Sequence, residues 1–246
     1  MLLVAPQPPR PRLAEQLLLQ QRHREAEVEV DPGLVLFQSY QGAVTDSPAA
    51  VERVLARVRP DLRRAYVVAA GQQAPEGCAG VVVRTPEWYH ALATAGAIVT
   101  NIDLEPWFRK RPGQRVLQTY HGMPSKTMGI AAWRAKGWTD SLIEKELGRT
   151  SGTWDLLVTA TPEMERHYRE QYRHDGPVLA AGYPRDDDLV TGDLDRRRTE
   201  VRARLGIGER TAVLYAPTWR DDLASATHDA DAGPAQLALD GARTRC

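Results

Sequence analysis

The chain has 246 residues, 42% hydrophobic and 26% charged, with 32 basic residues against 32 acidic ones. That length supports one large domain or two small ones around a real core, and the balanced charge excludes a whole-chain attraction to nucleic acid or anionic lipid. Two cysteines, Cys78 and Cys246, give neither a disulfide framework nor a zinc spacing, which fits a reducing, cytoplasmic setting. No run reaches the ~20 apolar residues of a spanning helix, and Met1 to Pro11 lacks the charged start and apolar core of a signal peptide.

Residues 1–30 are rich in Pro and Arg and then helical, with Leu13, Leu17 and Leu18 as a short apolar stripe. Such a stripe suits a packing helix or a membrane-surface helix; the interspersed acids and the short apolar face favour packing. From residue 34 a regular alternation begins. Leu34–Phe37 reads as a buried strand. Ser47 caps a helix with Pro48 at its first position, and Val51, Val54, Leu55 and Val58 share one face. Strands follow at Ala65–Ala70 and Gly80–Arg84. Thr85-Pro86-Glu87 opens a helix that runs to Gly96, and strands follow at Ala97–Thr100 and Val116–Tyr120. Residues 131–149 read as helical, Leu156–Thr159 as a strand, and Thr161-Pro162-Glu163 as another capped helix start. Val178–Ala181 is the next strand. A charged connector helix at 193–205 ends at Gly206, and Ala212–Ala216 reads as a further strand. Short apolar strands alternating with capped helices specify an α/β fold, a Rossmann-like parallel sheet covered on both faces.

In such sheets ligands bind beyond the carboxyl ends of the strands, and the unusual residues stand at those ends. Ser39 and Gly42 follow the first strand, and Asn101 and Asp103 the fourth. His121-Gly122-Met123-Pro124-Ser125-Lys126 follows the fifth, Gly182-Tyr183-Pro184-Arg185-Asp186 the seventh, and Pro217-Thr218-Trp219-Arg220-Asp221 the last. His121 is the leading candidate, because histidine accepts a proton near neutral pH. Gly122 removes a side chain beside it, and Lys126 brings a positive charge for a phosphate. Arg185 and Arg220 suit phosphate oxygens, or pair with Asp186 and Asp221. The basic run Arg109-Lys110-Arg111, with Arg115, is a solvated face or a contact for an anionic acceptor or lipid headgroups. Trp133, Trp138 and Trp154 read as packing residues. Gly206-Ile207-Gly208 lacks a dinucleotide loop's third glycine, and Gly122 to Lys126 lacks the Walker glycine before its lysine. No spacing suggests a metal site.

Taken together, Phe37-Gln38-Ser39 with Gly42 and Asp46-Ser47-Pro48, the His121-Gly122-x-Pro124-x-Lys126 element, Trp154-Asp155, Gly182-Tyr183-Pro184-Arg185-x-Asp187 and Leu214–Arg220 resemble the CDP-glycerol:poly(glycerophosphate) glycerophosphotransferase family. The resemblance runs from about residue 34 to 222. It implies the N-terminal half of a glycosyltransferase-B-like two-domain fold. Residues 31–192 would be the acceptor-side domain, 193–205 the connector, and 206–222 the start of an incomplete nucleotide-donor domain. Residues 1–30 would be a helical, basic N-terminal segment and 223–246 a disordered tail.

By the same resemblance, glycerol phosphate passes from CDP-glycerol to a lipid-linked glycerophosphate acceptor at the inner face of the plasma membrane, a peripheral location, and CMP leaves. His121 would be the general base, with Gly42, Gly122, Lys126, Arg185, Thr218 and Arg220 binding substrate. No cofactor, metal or nucleic acid is implied. About 24 residues follow position 222, fewer than the usual ~100 of a domain. The sequence therefore reads as truncated. That leaves two alternatives: a non-catalytic acceptor-binding module, or another nucleotide-sugar transferase or epimerase of the same two-lobed build.

Overall fold

The structure, a computed structural model, describes residues 12–215. Its internal contacts divide the chain into two units, Met1–Gly192 and Asp193–Cys246. The first unit begins with helix α1 (Leu13–Glu25), strand β1 (Asp31–Gln38), helix α2 (Asp46–Val58) and strands β2 (Arg63–Val68) and β3 (Ala79–Val82). Helix α3 (Pro86–Thr94) leads directly into β4 (Ala95–Thr100), followed by β5 (Arg115–Gln118), α4 (Gly129–Ala135) and α5 (Asp140–Arg149). Then come β6 (Leu156–Thr159), α6 (Pro162–Tyr172), β7 (Val178–Ala180) and the short α7 (Asp187–Val190). The second unit contributes α8 (Leu194–Leu205), capped by the Asp193 side chain and closed by Gly206 in the left-handed conformation.

The seven strands form one sheet in the order β3-β2-β1-β4-β5-β6-β7, and every neighbouring pair is parallel. The chain enters at β1, winds outward to β3, then crosses back to β4 on the other side of β1. The order therefore reverses between β1 and β4, where a parallel sheet opens a crevice at its carboxyl edge.

Because side chains alternate across a strand, β1 feeds two cores. Leu36 joins Val67, Ile98, Val116 and Leu157 on one face, packed with Trp88, Ile143, Met164 and Tyr168 from the helices. Val35 and Phe37 join Tyr66, Val68 and Val99 on the other, where Ala49 of α2 packs. Trp154 belongs to the first core, 5.6 Å from Tyr172, and Trp133 stacks on Trp138 at 5.8 Å. Trp154 and Trp133 pack, as the sequence suggests, while Trp138 is exposed and meets the core through Trp133.

Four expectations need correction. The α2 helix begins at Asp46 with Thr45 as its cap, and Val54 and Val58 are 41% and 62% exposed. Small Ala49 and Ala50 seat the helix on the sheet, so its buried face is rotated from the valine stripe. The stretch 131–149 is two helices, divided at Gly137, whose φ of +78° takes the chain out of the helix.

The apolar stripe of α1 points outward, with Leu13, Leu17 and Leu18 all exposed. Gln16 and His23 face the core instead. Gln16 donates to Arg84 O at 2.7 Å and accepts from the Tyr89 hydroxyl at 2.6 Å. The surface under α1 carries polar groups that require partners, and an amide meets that need where a leucine does not. Finally, Ala212–Tyr215 forms no strand, and Val213, Leu214 and Tyr215 are exposed. A strand needs a ladder partner, and among the described residues none pairs with it.

Candidate active site

The carboxyl ends of β1, β4, β5 and β6 finish in buried polar residues. Gln38 and Ser39, Thr100 and Asn101, Gln118 and Thr119, and Thr159 are all between 0% and 4% exposed. They form a polar layer between the apolar core and the sheet's carboxyl edge. Ser39 Oγ donates to Thr45 O at 2.8 Å and shares a 2.7 Å hydrogen bond with the Tyr66 hydroxyl, closing the loop that leads into α2. Thr119 N donates to Thr100 O at 2.9 Å, carrying the β4–β5 pairing one step past the end of β5.

His121 stands just above this layer on the loop between β5 and α4. Its Nδ1 lies 2.7 Å from the backbone carbonyl of Asn101 at the end of β4. A carbonyl only accepts, so Nδ1 carries the proton and Nε2 keeps its lone pair. The ring is exposed at the edge of the sheet. Tyr120, immediately before it, adopts φ +49°, a left-handed conformation that costs an L-residue about 1 kcal/mol or more. The Tyr120 ring packs in the core, 4.6 Å from Tyr168 and 5.4 Å from Trp154, and the His121 ring lies 6.0 Å from it, at the surface. Asp103, half-buried beside them, has its carboxyl pushed above the usual range by burial, with the Arg149 guanidinium acting against the shift.

Arg185, on the 3-10 turn Pro184–Asp186 after β7, reaches across to the same place. One of its nitrogens lies 2.8 Å from His121 O and 3.1 Å from each carboxylate oxygen of Asp46, and its guanidinium lies over the Tyr183 ring at 4.4 Å. Asp46 opens α2 at φ +61°, and its Oδ1 also accepts from Ser47 N–H. A carboxylate there answers the positive end of the helix. The Arg185–Asp46 pair thus ties the His121 loop to the start of α2. Beside it opens a polar cavity of about 410 Å³ lined by Asp46, Arg53, Arg185 and Asp188.

The expected residues do not all serve alike. Gly42 adopts φ +71°, and a Cβ there would sit 2.5 Å from Ala69 N. Its missing side chain is taken up by the end of β2. Gly122 differs: a Cβ there would meet nothing within 4 Å, so the space beside His121 is open. Lys126 is exposed on the His121 loop. Thr218 and Arg220 lie outside the described residues. Sequence reasoning missed Gln118, and it named Asp46 only as part of the Asp46-Ser47-Pro48 motif, with no role of its own.

The basic run sits at the opposite, amino edge of the sheet, and its side chains are held by the protein itself. Arg109 donates to Arg24 O at 2.9 Å, and Lys110 binds Thr153 O at 2.9 Å and Asp155 at 2.5 Å. Arg111, 8% exposed, donates to His23 O and to Arg109 O. Arg115 pairs with Asp155 at 3.1 Å. Burial would raise the Asp155 carboxyl, but hydrogen bonds from Lys110, Val116 N–H and Arg115 outweigh it and hold the group below its usual range. Lys110 and Arg111 thus act as an internal clamp, while Arg109 and Arg115 are exposed, as the solvated-face reading expects. No group of His, Cys, Asp or Glu suited to a metal ion occurs among the described residues.

A doubly wound parallel sheet with a histidine, an arginine and a polar cavity at its carboxyl edge defines an α/β lobe built to hold a ligand there. The sequence profile of the CDP-glycerol:poly(glycerophosphate) glycerophosphotransferase family matches residues 19–242, and the chain belongs to that family. It is 27% identical over 206 residues to a teichoic acid poly(glycerol phosphate) polymerase of Staphylococcus epidermidis, covering 80% of this chain and 29% of the relative. It is 29% identical over 198 residues to a teichoic acid glycerol-phosphate transferase of Staphylococcus aureus, covering 77% of this chain and 51% of that one. A solved structure of the wall teichoic acid polymerase TagF superposes with a TM-score of 0.74 at 24% identity, covering 85% of this chain and 54% of that one. A TagF variant with a histidine changed to asparagine gives the same TM-score at 25% identity. The expected fold class, a Rossmann-like parallel sheet of the glycosyltransferase-B-like kind, is therefore the observed one. The chain spans between about a quarter and a half of the length of the curated relatives it matches.

Proposed function

We propose that this chain carries the acceptor side of a glycerophosphotransferase that moves glycerol phosphate from CDP-glycerol to a glycerophosphate-type acceptor in teichoic-acid-like polymer synthesis. One observation supports this most directly: the Nδ1–H of His121 is held on Asn101 O, which leaves Nε2 as a base at the sheet's carboxyl edge. In the step, Nε2 takes the proton of the acceptor hydroxyl as its oxygen bonds to the β-phosphorus of the donor. The bond from that phosphorus to the bridging oxygen breaks, and CMP leaves with the electron pair. Catalysis of such a step is mostly positioning and charge stabilisation. Lys126 suits the second role by type and place, Gly122 gives room for the acceptor, and Arg185 holds the His121 loop. Residues 206–222 would begin the donor-side lobe, to which Thr218 and Arg220 would belong.

The acceptor is lipid-linked in this reading, so the enzyme works as a peripheral protein at the cytoplasmic membrane face. Exposed Leu13, Leu17 and Leu18, with Arg12 and Arg22 near them, support such contact. No described helix is long and apolar enough to cross a membrane.

The test is CMP release from CDP-glycerol with a lipid-linked glycerol phosphate primer, comparing the chain with His121→Ala. Release that falls by about 10²–10⁴-fold in the variant supports a general base. Equal release in both overturns that role. Binding of the primer without release by either protein would point to an acceptor-binding module.

A further inference from the structure

Three residues before His121 stands a buried glutamine. Gln118 ends β5, opposite Thr100 of β4, and is 0% exposed. Its Oε1 accepts from Tyr120 N–H at 2.9 Å, and its Nε2 donates to Ile102 O at 3.0 Å. The first bond holds the amide of the residue in the strained left-handed conformation. The second holds the chain one residue past Asn101, whose carbonyl receives His121 Nδ1–H. One planar amide therefore spans the two segments whose spacing decides whether that 2.7 Å bond exists.

We infer that Gln118 is a positioning residue: by bridging Tyr120 N–H and Ile102 O it holds His121 as the Nδ1–H tautomer with Nε2 facing outward. Two features support a role beyond ordinary strand pairing. The Thr119 N–H to Thr100 O bond already continues the ladder at this point, so the sheet does not need Gln118 to stay paired. The amide also meets backbone groups that the ladder does not use, both on the segments that carry the histidine and its acceptor. The catalytic consequence rests on reading His121 as the base; the tautomer claim does not.

Imidazole-nitrogen NMR of the full chain at about pH 8 separates the two. An unconstrained neutral imidazole favours the Nε2–H tautomer, so a held Nδ1–H form is diagnostic. His23, whose Nδ1 lies 3.3 Å from Tyr89 O, is an internal reference for the fold. In the unmodified chain both histidines should report Nδ1–H. In Gln118→Met, which keeps the length and loses both bonds, His121 should move to mainly Nε2–H while His23 stays unchanged. Gln118→Glu keeps an acceptor for Tyr120 N–H and should give an intermediate population.

His121 remaining Nδ1–H in the Met variant, with His23 unchanged, overturns the inference. Should the Met variant lose the His23 signature by unfolding, the Glu variant decides: an unshifted His121 there overturns it equally. If the tautomer shifts as expected, CMP release should fall about tenfold or more in kcat with little change in KM. A shifted tautomer with unchanged kcat leaves Gln118 as the positioning residue and removes His121 as the base.

Discussion

The two edges of the sheet each carry a histidine beside an arginine, and they use them in opposite ways. At the amino edge His23 is 3% exposed. Its Nδ1 lies 3.3 Å from Tyr89 O, and its Nε2 faces Arg109 N–H at 3.3 Å and the Arg111 guanidinium at 3.4 Å. Burial and the Arg111 charge push it down to about 4, against the opposing pull of the Tyr89 carbonyl. At the carboxyl edge His121 also gives its Nδ1–H to a backbone carbonyl. Both rings thus have the same tautomer. What differs is the group facing Nε2: donors of the protein in one case, the open edge of the sheet in the other. A histidine becomes a candidate base when its second nitrogen is left toward ligand space, and a structural clamp when the fold itself fills that place.

Exchanging the two losses is the sharpest way to break this comparison. His121→Ala should reduce CMP release by about 10²–10⁴-fold, roughly 3–5 kcal/mol of barrier, and leave the melting temperature nearly unchanged. His23→Ala should lower stability by about 2–3 kcal/mol, because Arg109 N–H and Arg111 lose an acceptor in a buried place and α1 loses its anchor. Calorimetry and the release assay on both variants decide it. A melting shift in His121→Ala as large as that in His23→Ala would erase the distinction.

Acid should weaken the amino edge. His23 has a folded-state value depressed to about 4 from an ordinary 6.5. Below pH 6.5 the unfolded chain takes a proton that the folded chain refuses, so the stabilisation present above 6.5 is lost progressively as pH falls toward 4. Unfolding free energy from denaturant titrations should decline across that window. The decline should be shallower in His23→Phe. An equal slope in both proteins would mean that His23 is not what titrates.

Much of this was legible in the sequence, and the misses have physical causes. Strand positions came from apolar runs between capped helix starts, and the ends of β1, β4, β5, β6 and β7 carry the polar or glycine residues that such edges favour. His121 stood out because a glycine follows it at a strand end. His23 did not, since it lies among Arg, Gln and Glu on a helix that reads as surface, and its partner Arg111 is 88 residues away. Lys110 and Arg111 looked like a charged face for the same reason: each cation is matched by a carbonyl or carboxylate distant in sequence. Gln118 was silent because a polar residue at a strand terminus looks like the end of a strand. The signal was present in the repetition: Phe37-Gln38-Ser39, Val99-Thr100-Asn101, Leu117-Gln118-Thr119 and Val158-Thr159 all leave the core through polar side chains. Arg185 pairs with its neighbour Asp186 at 3.7 Å, one of the two readings the sequence offers, but its meeting with Asp46 depends on the turn after β7 reaching across the carboxyl edge of the sheet to the start of α2.

A smaller effect concerns the salt link at the carboxyl edge. Arg185→Lys keeps the charge but is shorter than the arm whose terminal nitrogen meets Asp46 and His121 O together, and it loses the guanidinium face over Tyr183. Stability should fall by about 1 kcal/mol or less, since the pair is partly exposed. CMP release should fall about tenfold if the link holds the His121 loop. Unchanged release would place the loop's order elsewhere, with Gln118 as the first candidate.

The two candidate glycines give the finest cut. Gly42 adopts φ +71° against the backbone of Ala69, and alanine there would suffer both the left-handed penalty and a contact of 2.5 Å. Gly42→Ala should cost about 1–3 kcal/mol. Gly122 has no such constraint, and a Cβ would enter open space. Gly122→Ala should therefore change stability by less than ~0.5 kcal/mol. If the acceptor approaches His121 across that space, the same variant should raise KM for the primer several-fold. Stability measured beside primer KM separates a glycine that the fold requires from one that the substrate requires. A Gly122→Ala protein with unaltered KM would mean that the acceptor reaches Nε2 from another side, most directly from the cavity beside Asp46 and Arg185.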